Sequence, residues 1–304
     1  MNKRICKPTF LTKKVGFAFY IGENMEIKEY EDYIEIIAPK DFDVKQTIEC
    51  GQVFRYKVQD FGYTVYSLHH KADIYCQETI KIFTKDKKYF INYFDFCTNY
   101  DKIKSSLSVE PMLKSAIEYG KGIHILKSAP LEMIIEFIIS QNNNIPRIKA
   151  IIEKICENYG DNMGDYYAFP TLSQLKKIPL EFFTQIKCGY RDKYLYDTIS
   201  MLGNNFDLDA LKQMTTANAR AMLMKLKGVG RKVADCILLF GYHKTDVFPT
   251  DTWIVQAYNK IYKTNITNAV TISNYFLDKF GDLSGYAQQY LYYQMRESSL
   301  GENL

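Results

Sequence analysis

Between residues 26 and 96 apolar and polar positions alternate in short runs. EIKEYEDYIEIIAP alternates along its length, FGYTVYSLHHKADIYC is rich in aromatic and β-branched residues, and KKYFINYFDF closes the block. Period-two runs separated by polar turns such as QDFG and TKDKK predict an antiparallel sheet with one covered face. From about residue 100 the pattern becomes helical. LEMIIEFIIS is a strongly apolar helix stopped by QNNN, and Ile145-Pro146 starts the next, IPRIKAIIEKICENYG. LSQLKKI, LEFFTQI, RDKYLYDTISML, TTANARAMLMKL, DTWIVQAYNKIY and SGYAQQYLYYQMRES read as further helices. The chain is therefore expected to be α+β, with an antiparallel β domain over residues 25–115 and an all-α domain over 116–304.

Residues 1–24 fall outside this scheme. VGFAFYIG follows two lysines in the manner of a secretory leader, but it is short and no A-x-A site follows. An appended or disordered extension is the expectation. The same segment carries the charge: Lys3, Arg4, Lys7, Lys13 and Lys14 against Glu23, five minus one, which equals the whole net charge of +4. A nucleic-acid partner thus has to be argued from local basic sites. No apolar run is long enough for a membrane-spanning helix. The seven cysteines are odd in number, scattered, and free of any C-x-x-C, which gives no support to a zinc or iron–sulfur site and fits a reducing, cytoplasmic compartment.

The candidate chemistry lies in LKGVGRKVADC, residues 226–236. Gly228 and Gly230 flank Val229 between two apolar helices, and such a turn leaves amides open at the second helix's N-terminus. A DNA phosphate would fit there, with Lys225, Lys227 and Arg231 adding charge; an ordinary helix–helix turn would look the same. Fifteen residues after Lys232 begins VFPTDTW, which places Asp251 nineteen residues on. Asp251 in it suits a helix cap, yet a fixed carboxylate near a lysine also suits nucleophilic catalysis. A partly desolvated Lys232 would have a lowered pKa and attack as the free amine.

Together LKGVGRKVADC and VFPTDTW resemble the helix–hairpin–helix and Gly-Pro-Asp motif of base-excision DNA glycosylases. The lysine after the hairpin resembles the bifunctional glycosylase/lyase branch, and more narrowly the 8-oxoguanine DNA glycosylases; matching points run through residues 26–296. The resemblance implies a TBP-like N-terminal sheet and a helical catalytic domain. It makes Lys232 the nucleophile that forms a Schiff base at C1′, and Asp251 the carboxylate that stabilises the developing positive charge. No metal is required for that chemistry, although hairpin carbonyls in the family can hold a cation.

The rest of the site follows from the same resemblance. ECGQVFRY matches the family's Gly-Gln-x-Phe-Arg, so the Gly51 carbonyl would accept the N7–H found only in the oxidised base; a strand-end bulge would also explain the glycine. Cys236, four residues past Lys232, would lie against one face of the base, and Tyr292 would stack on the other, unless it is an ordinary buried aromatic. Gln288 would read the Watson–Crick edge with its amide donor and acceptor. QNNNIPR makes Asn142 the plug for the gap and Arg147 a contact to the orphaned cytosine, where NNN could otherwise be turn chemistry. CGYR makes Tyr190 a wedge and Arg191 a second cytosine contact. Gly228, Gly230, Arg231 and Trp253 would face the phosphates. Pro146 departs from the residue expected before Arg147, and Trp253 stands where vertebrate relatives carry histidine, as a bacterial or archaeal member would. The partner implied is double-stranded DNA containing 8-oxoguanine, met by a monomer associated with a prokaryotic nucleoid. Two other readings stay open: an alkylated-purine glycosylase of the same architecture, which generally lacks the lysine, and a DNA-binding module using the hairpin alone. An iron–sulfur member is disfavoured because no cysteine follows Cys236.

Overall fold

The computed structural model describes residues 17–21, 25–37, 41–203 and 206–301. Seven strands form one sheet: β1 (Phe17–Ile21), β2 (Met25–Glu29), β3 (Tyr33–Ile37), β4 (Tyr56–Gln59), β5 (Gly62–Ser67), β6 (His70–Cys76) and β7 (Ile80–Phe83). Their order is β1-β2-β3-β7-β6-β5-β4, and every neighbour is antiparallel. Alternate residues of β3 and β7 are buried, and Ile27, Ile34, Ile36, Val65, Ile74 and Ile82 supply the covered face. The alternation read from the sequence is what the sheet uses.

Two expectations change here. The segment expected to lie outside the fold contributes β1, which pairs with β2 from Phe17↔Glu29 to Ile21↔Met25; the rest of residues 1–24 lies outside the described residues. KKYFINYFDF is a helix rather than a strand. Phe90, Tyr93 and Phe94 are buried at helical spacing, and the aromatic content concealed that period.

Helix α1 (Val44–Glu49) interrupts the sheet between β3 and β4, and α2 (Lys87–Tyr93), α3 (Tyr100–Leu107) and α4 (Pro111–Tyr119) follow it. Then come α5 (Pro130–Ser140), α6 (Ile145–Tyr159), α7 (Leu172–Leu175), α8 (Leu180–Gln185), α9 (Arg191–Met201), α10 (Ala210–Gln213) and α11 (Thr216–Leu223). The last four are α12 (Arg231–Tyr242), α13 (Thr252–Tyr262), α14 (Ala269–Phe280) and α15 (Ser284–Gly301). After β7 the chain is helical from Lys87 on, α4 packs along α15, and one hydrophobic core runs from the sheet into the helices. The apolar α5 lies against α12, close enough that a Cβ on Gly241 would sit 3.2 Å from the Cα of Pro130.

Two residues of GQVFR join the layers. Gln52, fully buried, donates to the carbonyls of Thr47 (2.7 Å) and His124 (2.8 Å) and accepts from Leu126 N–H (2.9 Å). It fastens the turn after α1 to the strand-like segment that leads into α5. Arg55 is buried between sheet and helices, donating to the carbonyls of Tyr167 (2.7 Å) and Leu68 (3.3 Å), with Glu132 at 3.5 Å and Glu153 at 3.6 Å.

Glu136 lies buried beside this group, and neither carboxyl oxygen has a hydrogen-bond partner in the structure. Burial, reinforced by Glu132, pushes its pKa well above the usual carboxylate range. The folded state therefore binds this proton more tightly than the unfolded chain. The associated stability is complete below the unfolded carboxyl pKa and is lost as pH rises through the folded one. Glu136→Gln is accordingly expected to raise the melting temperature, by more at pH 8 than at pH 5, in paired thermal melts.

Candidate active site

The helical hairpin is assembled as its glycines required. Gly228 adopts φ +76°, and a Cβ there would lie 2.6 Å from Cδ2 of Tyr194 on α9. Both conformation and space demand glycine. Gly230 differs: it caps α12 with extended backbone, φ −85° and ψ 177°, and a Cβ there would meet nothing within 4 Å. No side chain caps α12, and Gly230 to Val233 line an open cleft of about 820 Å³.

Lys232 is the second residue of α12. It is half-buried, with Nζ 5.5 Å from the centre of the Phe137 ring. Asp251 is the N-cap of α13, its carboxylate accepting from Ile254 N–H at 3.0 Å. The cap and the charge partner are the same group: Asp251 lines the cleft with Lys232 and pulls on its proton. Burial lowers the Lys232 pKa, but Cys236, Asp251 and Tyr292 together outweigh it, and the ammonium titrates above the usual lysine range. The expectation of a lowered pKa is thus corrected, because the surrounding acceptors favour the charged form more than burial disfavours it. Cys236 itself is raised to about 11 by burial, despite the adjacent ammonium, and is a thiol at neutral pH.

Below the cleft is a small inner pocket whose walls include Gly51, Lys232, Cys236, Asp251, Gln288 and Tyr292. The structure thus brings together every residue assigned to the base pocket and both catalytic candidates. Gly51 lies in the turn after α1, not at a strand end, with φ +87°; a Cβ there would sit 3.0 Å from Nη1 of Arg296 and 3.4 Å from the Tyr292 hydroxyl. Gln288 is 5% exposed and its Oε1 has no partner within the protein, an acceptor left for a ligand. The pocket measures about 40 Å³ and opens into the larger cleft, with which it shares Gly51, Phe137, Lys232, Asp251 and Tyr292.

At the cleft mouth, Asn142 is exposed with φ +45° and Tyr190 is 52% exposed. Arg147 is exposed and donates to the Lys187 carbonyl at 2.8 Å. Pro146 stands in the first turn of α6, where it is tolerated, and Asn144 caps that helix by accepting from Arg147 N–H. Arg191 departs from expectation. It is 3% exposed, and its guanidinium is committed to the carbonyls of Cys188, Gln141 and Asn142 rather than presented to a base. Arg231 departs as well: its Nη2 donates to Asn274 Oδ1 at 2.7 Å, tying α12 to α14. Trp253 lines the cleft. Sequence reading missed Phe137, hidden in an apolar helix, and Arg296, whose guanidinium lies 5.6 Å from the Tyr292 ring.

The description "8-oxoguanine DNA glycosylase, N-terminal domain" matches residues 35–134. A probable N-glycosylase/DNA lyase of Methanothermobacter thermautotrophicus is 30% identical over 63% of this chain and 69% of its own. The 8-oxoguanine glycosylase/lyase of Clostridium acetobutylicum, solved with double-stranded DNA containing cytosine opposite 8-oxoguanine, is 36% identical, with a TM-score of 0.85 over 90% of this chain and 98% of that one. The chain belongs to the 8-oxoguanine DNA glycosylase/lyase family. The N-glycosylase/DNA lyase OGG1 of Arabidopsis thaliana is also 30% identical, but the match spans only 54% of its length. A 3-methyladenine DNA glycosylase of Archaeoglobus fulgidus shares the fold, with a TM-score of 0.63 at 17% identity.

The hairpin glycines make a test within this family fold. Gly228→Ala should destabilise by about 1–3 kcal/mol through strain and the Tyr194 contact. Gly230→Ala should stay within roughly 0.5 kcal/mol of the parent. Denaturant unfolding of both variants separates the two cases.

Proposed function

We propose that this chain removes 8-oxoguanine from duplex DNA and then cleaves the strand at the vacated sugar. The observation that carries the reading is the convergence of Lys232, Asp251, Gly51, Cys236, Gln288 and Tyr292 on one inner pocket. Support for DNA as the partner comes from the family and from the DNA-bound relative. The exposed Asn142 and Tyr190 suit a plug and a wedge. The open space at Gly230 suits close approach of a phosphate to the amides of α12.

In the proposed reaction the bond from C1′ to N9 breaks first, the base leaving with the bonding pair and taking up a proton, and the free amine of Lys232 then adds to C1′ and gives up a proton. Asp251 stabilises the cationic sugar between these events. Opening of the sugar ring gives a Schiff base between C1′ and Nζ. Loss of a C2′ proton then expels the 3′ phosphate by β-elimination. A flipped base would meet the Gly51 carbonyl at its N7–H and the unpartnered Gln288 at its Watson–Crick edge. Arg147 would contact the orphaned cytosine. No metal or organic cofactor is invoked for these steps. Should a structural cation bind the hairpin, it would share carbonyls such as that of Lys227, which accepts from the Thr198 hydroxyl at 2.8 Å.

Lys232 must lose a proton before attack, and its pKa lies above the usual range. Borohydride trapping on a duplex with 8-oxoguanine opposite cytosine should therefore accelerate with pH, by about tenfold per unit through the neutral range. A flat profile would refute a rate-limiting free amine. Lys232→Gln should give no trapped adduct and lose excision on the order of 1,000-fold; an unchanged variant would leave only a binding role. In the same assay, Arg147→Ala should narrow the rate difference between opposite cytosine and the other three bases. Equal wild-type rates opposite all four would defeat the cytosine assignment.

A further inference from the structure

Gln141 has no role in the reading above, yet three cleft-facing segments meet on it. It ends α5, and from there the chain turns into the left-handed Asn142. Its side-chain amide donates to the Gly228 carbonyl in the hairpin at 2.9 Å and to the Ile138 carbonyl at 3.2 Å. Its own carbonyl accepts from Arg191 Nε at 2.8 Å, from Arg191 Nη2, and from the Tyr190 hydroxyl at 3.2 Å. Arg191 Nη2 also reaches the Asn142 carbonyl at 2.8 Å. The backbone around Gln141 thus fixes the plug to the wedge, and its side chain fixes both to the hairpin. The contact to Gly228 is the link in this set that the Gln141 side chain makes to the hairpin, across 87 residues of sequence.

We infer that Gln141 is a positioning residue that yokes the phosphate-holding hairpin to the gap-filling Asn142. The inference rests on the base-flipping reading. Extruding a paired base requires two events in register: a grip on the backbone of the departing nucleotide and entry of a plug into the space it leaves. A hairpin and a plug held in one frame perform both in a single docking movement, and no separate loop ordering has to follow DNA binding. Asn142 contributes the strained end of that frame, since a non-glycine residue at positive φ persists only where its surroundings hold it.

The variants are Gln141→Leu, which removes the donor, and Gln141→Glu, which keeps the shape but sets an acceptor against the Gly228 carbonyl. Each is measured under single-turnover conditions on two duplexes. One carries 8-oxoguanine opposite cytosine. The other carries a preformed abasic site opposite cytosine, which needs the same Lys232 chemistry but has no base to unstack. Loss of one coupling hydrogen bond should slow excision by about tenfold. Strand cleavage at the abasic site should stay within about threefold of wild type, and melting temperatures should be nearly unchanged. Equal losses on both substrates would mark Gln141 as merely structural and overturn the inference, as would variants that excise at the wild-type rate. A wild-type protein that cleaves the abasic site but never releases 8-oxoguanine would instead overturn the base-excision reading itself.

Discussion

An ammonium partly withdrawn from water needs an anion close by, and Lys232 finds one in Asp251. Asp251 can face it only because α13 begins there, and Lys232 stands where it does only because α12 begins one residue earlier. The two helix starts are separated by the length of α12 and the loop that follows it, and α12 itself is held in place by its packing on α5. The carboxylate that caps α13 is thereby obliged to act on the lysine as well. The result is a lysine whose charged form is favoured in the resting protein.

Much of this was legible in the chain. The glycines around Val229, the lysine after them and the aspartate in VFPTDTW have spacings set by local backbone geometry, which a sequence states directly. The alternation in β3, the apolar run of α5 and the proline-started α6 were legible for the same reason. KKYFINYFDF misled because aromatic residues serve strands and helices equally, and only burial of Phe90, Tyr93 and Phe94 on one side shows the period. α14 was passed over although Asn268 caps it through Val270 and Thr271 and Ile272 and Phe276 recur at helical spacing.

The charged side chains were the least legible part. An arginine near a cleft reads as a nucleic-acid contact, but Arg191 is turned inward onto three carbonyls and Arg231 is turned toward α14. Their long stems let them reach either direction, and the choice depends on acceptors that come from distant segments. The same holds for GQVFR. Its glycine faces the pocket, whereas its glutamine and arginine serve the seam between sheet and helices, where Arg55 keeps company with carboxylates from α5 and α6.

The inner pocket and the outer cleft share Gly51, Phe137, Lys232, Asp251 and Tyr292, so the two form one recess that narrows toward Cys236 and Gln288. The ammonium–carboxylate pair stands at the neck of that recess and the unpartnered Gln288 Oε1 at its floor. What the recess holds and what the pair does are therefore set by different residues, and a substitution at the floor can alter the first without moving the second.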